Sequence, residues 1–157
     1  MPNRLSLLRQ RPPIFDKIGK SRGPLAFLDE SFRTASEDQD SFYILCAVVV
    51  DKKEVIELRR ELRNLAGSAR WHTTEVGRSY EGRQKIRQMA RLIASFSTVV
   101  IALSSQLQEK DRGGELARSI LTKTLLDELA QNHLYMTGTV VFEKRVPGEM
   151  RARDEAL

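Results

Sequence analysis

The chain has 157 residues, 41% hydrophobic and 30% charged, with a formal net charge of +5, a balance that fits one globular domain long enough to bury a core. No apolar run approaches the roughly 20 residues of a spanning helix, no apolar signal core follows the basic N-terminus, and a single cysteine excludes an intrachain disulfide. A soluble, cytoplasmic protein that does not engage a membrane is the expectation.

The charge is uneven. Residues 1–23 carry Arg4, Arg9, Arg11, Lys17, Lys20 and Arg22 against Asp16, a net +5, whereas the remainder balances 20 basic against 20 acidic residues. Pro12-Pro13 and Gly23-Pro24 disfavour a continuous helix in this stretch. Residues 1–23 therefore read as a basic N-terminal arm, either solvated or tracking a phosphate backbone through counterion release, ahead of a domain over 24–157. A second basic enrichment, Arg70, Arg78, Arg83, Lys85, Arg87 and Arg91, surrounds His72.

In chain order, Leu25 to Leu28 reads as a first strand leaving into Asp29-Glu30-Ser31, and Ser41 to Val50, rich in β-branched and aromatic residues, as a central second strand. The acidic stretch Thr34 to Asp40 suits the hairpin loop between them. Asp51-x-x-Glu54 has the form of a capping box before Val55, Leu58, Leu62 and Leu65 at helical spacing, with Gly67 as the stop. Beyond a linking segment, in which Arg70 to Thr74 could add a short strand, Ser79 can cap a second helix with Ile86, Met89, Ile93 and Phe96 on one face. Thr98 to Leu103 is apolar on both faces, the pattern of a strand between helices in a sheet with parallel pairs.

Gly113-Gly114 precedes a third helix carrying Leu116, Ile120, Leu121, Leu125 and Leu129 and stopping near Asn132; a flexible turn or an anion site would both suit the glycines. Met136 to Phe142 makes the last strand, with Glu143 at its exit. Glu149 to Leu157 begins another helix that ends after about two turns, so the domain is expected to be truncated at its C-terminus. The sum is an α/β layered domain on a mixed sheet.

The chemistry follows from acids on strands. A phosphodiester is cleaved with help from cations that activate water and neutralise the leaving oxygen, and carboxylates from separate elements must meet to hold them. Asp29, Glu143 and Asp154 are the candidates for metal ligands, provided the first and last strands leave the sheet on one side. Strand alternation sends Asp29 and Glu30 to opposite faces, so one of them is the primary ligand, and Asp29 is preferred. Each acid alone could instead cap an element or face water. His72 and Glu75 lie beside arginines, where they could orient water or meet a phosphate, or simply be solvated. His133, after a helix end, suits a dipole partner. Cys46 reads as a buried small hydrophobe. No phosphate-cradling loop, nucleophile elbow, H-E-x-x-H or paired CxxC is present; Trp71 and Tyr80 are the aromatics near the basic cluster.

The run FLDES at Phe27 to Ser31, the strand YILCAVVV at Tyr43 to Val50 followed at once by a leucine-rich helix, the Trp71-His72 pair and the arginine-containing helix after it together resemble the bacterial and phage domain-of-unknown-function family 3800, over residues 24–157. That family looks ribonuclease-H-like, which implies a mixed central sheet flanked by helices and acidic, metal-dependent nuclease chemistry. By position the resemblance implies a metal-binding aspartate at Asp29 with Glu30 and Ser31 completing the motif, the family histidine at His72, and later acids at Glu143 and Asp154. Ser104-Ser105 stands where nucleases of that superfamily commonly offer an aspartate. The expected function is a Mg²⁺- or Mn²⁺-dependent nuclease, with Asp29, His72, Glu75 and Glu143 catalytic and Arg70, Arg78 and Arg83 on the nucleic acid. The alternative is a catalytically inactive nucleic-acid-binding module, or an oligomeric assembly such as a homodimer covering the unfinished terminal helix.

Overall fold

A computed structural model of the chain describes residues 20–33, 40–68, 71–111, 113–131 and 138–142. Four strands form one mixed sheet: β1 (Leu25–Arg33), β2 (Phe42–Val50), β3 (Ser97–Ser105) and β4 (Thr139–Phe142), in the order β3-β2-β1-β4. β1 and β2 pair antiparallel from Leu25 opposite Val50 to Arg33 opposite Phe42. β3 is antiparallel to β2, with an irregularity at Val49/Val50, and β4 runs parallel to β1 from Leu25 beside Thr139 to Leu28 beside Phe142. The helices are α1 (Val55–Ala66), the single turn α2 (Thr73–Val76), α3 (Tyr80–Phe96) and α4 (Glu115–Gln131). Among the described residues no helix is long and apolar enough to cross a membrane.

The local signals act where the sequence places them at most helix ends. Gly67 adopts φ 68° and its N–H donates to the Arg63 carbonyl at 3.0 Å, closing α1 in the left-handed conformation that glycine reaches without strain. Ser79 caps α3, its hydroxyl oxygen accepting from the Gly82 N–H at 2.9 Å. The capping box at Asp51 does not form. Asp51 Oδ1 accepts from the Lys53 N–H at 3.1 Å and its carbonyl from the Glu54 N–H at 2.9 Å, so it closes a turn one step before α1 begins.

Three sequence expectations change. β1 continues through Asp29 and Glu30 to Arg33, because the ladder with β2 persists beyond the apolar residues; the acids lie inside the strand and not at its exit. Of the stretch Arg70 to Thr74 that could add a short strand, Thr73 and Thr74 open the α2 turn instead, and Arg70 lies outside the described residues. β3 is an edge strand with an antiparallel partner, while the sheet's parallel pair is β1 with β4. Both α3 and α4 contact β3, which accounts for its apolar composition. Residues 1–19, the 34–39 loop and the terminal helix expected from Glu149 lie outside the described residues.

The core fills the space between α4 and one sheet face. Ala26 and Leu28 of β1 and Tyr43, Leu45, Ala47 and Val49 of β2 point there, as a period of two requires, and meet Leu121, Leu125 and Leu129. The buried side of α4 carries Leu121, Leu125 and Leu129 but not every apolar residue of the helix. Leu116 and Ile120 are 50% and 53% exposed, while Arg118 and Thr122 are buried. An acidic residue of β1, Glu30, meets Arg118 there.

The start of α4 is held from within the chain. Asp111, 8% exposed, accepts from the N–H groups of Leu116 at 3.1 Å and Ala117 at 2.8 Å, which neutralises the positive helix end. Gly114 turns the chain there at φ 72°, with the Tyr43 ring against the space a Cβ would take. The glycine pair thus serves a tight turn, and the anion at this helix end is the chain's own carboxylate.

Candidate functional site

β1 carries the acids and sorts them by alternation. Asp29 is exposed, and its Oδ1 accepts the N–H of Glu30 at 2.8 Å. It stands opposite Cys46 in the β1–β2 ladder, on the face turned away from α4. Burial pushes the Cys46 thiol above its ordinary range, and the negative charge of Asp29 pushes it further. Both causes disfavour the thiolate, so Cys46 is expected to alkylate slowly near neutral pH and faster as pH rises. In Asp29→Asn the charge cause is gone, and the rate against pH profile of iodoacetamide labelling shifts to lower pH; an unshifted profile would mean that the carboxylate does not act on the thiol.

Glu30 faces the other way and is fully engaged. Its Oε2 accepts from the Arg118 Nε–H at 2.8 Å and from the Tyr43 hydroxyl. The Arg118 side chain is 7% exposed and that of Glu30 26%, so the pair sits at the margin of the core. Phe32 stacks on Tyr43 with ring centroids 5.6 Å apart and shields it. Thr122, one turn beyond Arg118 on α4, has a buried hydroxyl with no hydrogen-bond partner among the described residues. This cluster ties β1, β2 and α4 together. The pairing was not legible from local sequence, because Glu30 and Arg118 lie 88 positions apart.

His72, Glu75, Arg78 and Arg83 lie in or beside α2 and the start of α3. His72 precedes the turn and accepts at its carbonyl from the N–H groups of Glu75 at 3.1 Å and Val76 at 3.0 Å. The His72 and Glu75 side chains are exposed, as are Arg78 and Arg83. Arg83 Nη1 donates to the carbonyls of Gly77 at 3.1 Å and Arg78 at 3.3 Å, bracing the step from α2 into α3. Trp71 is pinned by its Nε1–H donating to Thr73 Oγ1 at 3.1 Å. Arg70, Glu143 and Asp154 lie outside the described residues. Among the described residues no group of three or more His, Cys, Asp or Glu side chains is arranged to hold a metal ion, so Asp29, His72 and Glu75 do not make such a group.

β4 runs in the same direction as β1 and its last described residue, Phe142, is in register with Leu28, the residue before Asp29. No family model matches the chain, and no curated protein and no solved structure matches it significantly.

Proposed function

We propose that the chain is a ribonuclease-H-like domain of the family it resembles, and that it hydrolyses phosphodiester bonds of nucleic acid with Mg²⁺ or Mn²⁺. The observation that supports this reading is the parallel register of Leu28 with Phe142, since the residues that follow these two in the sequence are Asp29 and Glu143. Asp29 fits the part. Its carboxylate is exposed, accepts at Oδ2 from no described residue, and offers the hard oxygen that such ions take. Glu30 does not fit, because Arg118 and Tyr43 occupy it.

Asp29, Glu143 and Asp154 would hold the metal, which supplies charge neutralisation at the phosphoryl oxygens and a more acidic water. His72 or Glu75 would accept a proton from water. Arg70, Arg78 and Arg83 would position phosphates; Arg83 keeps further N–H groups for this beyond the Nη1 contacts that brace the turn.

Incubation of labelled DNA and RNA with the protein, with and without Mg²⁺ or Mn²⁺, tests the reading. Metal-dependent cleavage that is lost in Asp29→Asn is the expected result, and cleavage by the variant at the wild-type rate would remove the mechanism. Salt-sensitive binding without turnover would identify an inactive nucleic-acid-binding module instead, and concentration-dependent sedimentation as a dimer would point to an assembly role.

A further inference from the structure

One side of α3 carries Arg83, Arg87 and Arg91, and all three are exposed. They recur at i, i+4 and i+8. Positions four apart on a helix stand nearly one above the other, about 6 Å along the axis, so the three arginines make a single row roughly 12 Å long. The apolar positions of the helix, Ile86, Met89, Leu92 and Ile93, are half-buried and lie outside this row.

Like charges at (i, i+4) work against a helix, and α3 supplies no acid to offset them. Its one carboxylate, Glu81, stands four residues before Lys85 and at neither three nor four positions from any of the three arginines. Among the described residues no ion pair reaches Arg87 or Arg91, and Arg83 engages only through Nη1, which donates to the Gly77 and Arg78 carbonyls. The row is therefore an uncompensated line of cations on a rigid element.

A line of anions at a similar step is its complement. Successive phosphates of one nucleic-acid strand form such a line, and a guanidinium group takes phosphate oxygens two at a time. A duplex suits the row better than a free strand. Base pairing and stacking hold the phosphates of a duplex at a regular step, whereas grip on a free strand draws on successive aromatic faces for its unpaired bases. Beside the arginines α3 offers one such ring, the exposed Tyr80 of its first turn. Gln84, Gln88 and Ala90 flank the row and bring no apolar anchor, unlike a helix that enters a lipid surface or a protein groove.

We propose that the row Arg83, Arg87 and Arg91 on α3 grips the phosphate backbone of one strand of a nucleic-acid duplex, whatever its base sequence. This grip rests on the nucleic-acid reading of the proposed function, adds Arg87 and Arg91 to the residues assigned there, and needs neither metal nor cleavage.

Anisotropy of a short labelled DNA duplex titrated with the full chain in EDTA measures the grip with hydrolysis excluded. The logarithm of the binding constant falls linearly with that of the salt concentration, by about 0.9 for each phosphate neutralised. Arg87→Gln/Arg91→Gln is expected to flatten that slope by about 1.8 and to weaken binding at least about tenfold at ~0.1 M salt. Arg87→Lys/Arg91→Lys keeps the wild-type slope. So does Lys53→Gln/Lys123→Gln, which removes the same charge from exposed side chains elsewhere in the fold. No binding of the duplex by the wild type, binding of the single strand as tight as that of the duplex, an unchanged slope in the glutamine variant, or equal flattening in the Lys53/Lys123 variant would overturn the proposal. Circular dichroism checks that the glutamine variant is folded; if it is not, Arg91→Gln alone decides, with an expected flattening of about 0.9. Unchanged duplex binding by the glutamine variant together with metal-dependent cleavage by the wild type removes the row and leaves the nuclease reading. The expected slopes with no cleavage in Mg²⁺ or Mn²⁺ remove the nuclease reading and leave the row.

Discussion

Glu30→Ala lowers the unfolding free energy by about 2–3 kcal/mol, while Asp29→Asn, one residue away, changes it by no more than about 0.5 kcal/mol. The contrast follows from the two faces of β1. Removing the Glu30 carboxylate takes the Nε partner from Arg118, whose side chain is 7% exposed, and the hydroxyl partner from Tyr43, which is 1% exposed. A buried cation and a buried hydroxyl each lose an acceptor. The figure sits below the range for a fully buried pair because Glu30 is itself about a quarter exposed. Asp29 is exposed, and its one described hydrogen bond is with the N–H of the next residue. Urea unfolding of both variants, with equal m-values, measures the difference. Equal losses would mean that the alternation of the strand does not separate the two carboxylates. Glu30→Gln, which keeps an acceptor oxygen, is expected to lose less than the alanine variant.

Leu125→Ala costs about 3–5 kcal/mol, whereas Ile120→Ala on the same helix stays within about 1 kcal/mol. Leu125 has no exposed surface and sits in the cluster with Leu28, Leu45 and Leu121, so truncation removes buried methyl groups and leaves a cavity that the sheet cannot close. Ile120 is 53% exposed, and its removal takes away little that water does not already reach. Thermal or urea unfolding of the two variants distinguishes them. A loss at Ile120 as large as at Leu125 would require a face of α4 other than the one described here to bear the core.

The contrast within α4 shows what sequence periodicity can and cannot deliver. Leu121, Leu125 and Leu129 recur at i, i+4 and i+8, enough to announce a helix with a core-facing stripe. Leu116 and Ile120 extend the apolar pattern around the helix, so the count of apolar residues alone does not orient it. In the fold Leu121, Leu125 and Leu129 face the sheet, Arg118 on the same side meets Glu30 of β1, and Leu116 and Ile120 face outward.

Much of the candidate site was readable in the same limited sense. The alternation that separates Asp29 from Glu30 is a property of any extended chain, and the exposure of Asp29 with the engagement of Glu30 follows the side each one takes.

The chain by itself determined the identity and most limits of its elements, because those depend on groups a few residues apart: Gly67 reaching a left-handed conformation, the Ser79 hydroxyl meeting an N–H three residues on, and runs of β-branched residues that favour extended backbone. Only the tertiary structure decided that β1 runs on through its acids, that β4 lies parallel beside it, and that Arg118 is buried. Each of these rests on partners far away in sequence. Their free energy exists only once the sheet has closed and α4 has covered it, so no local window of residues contains it.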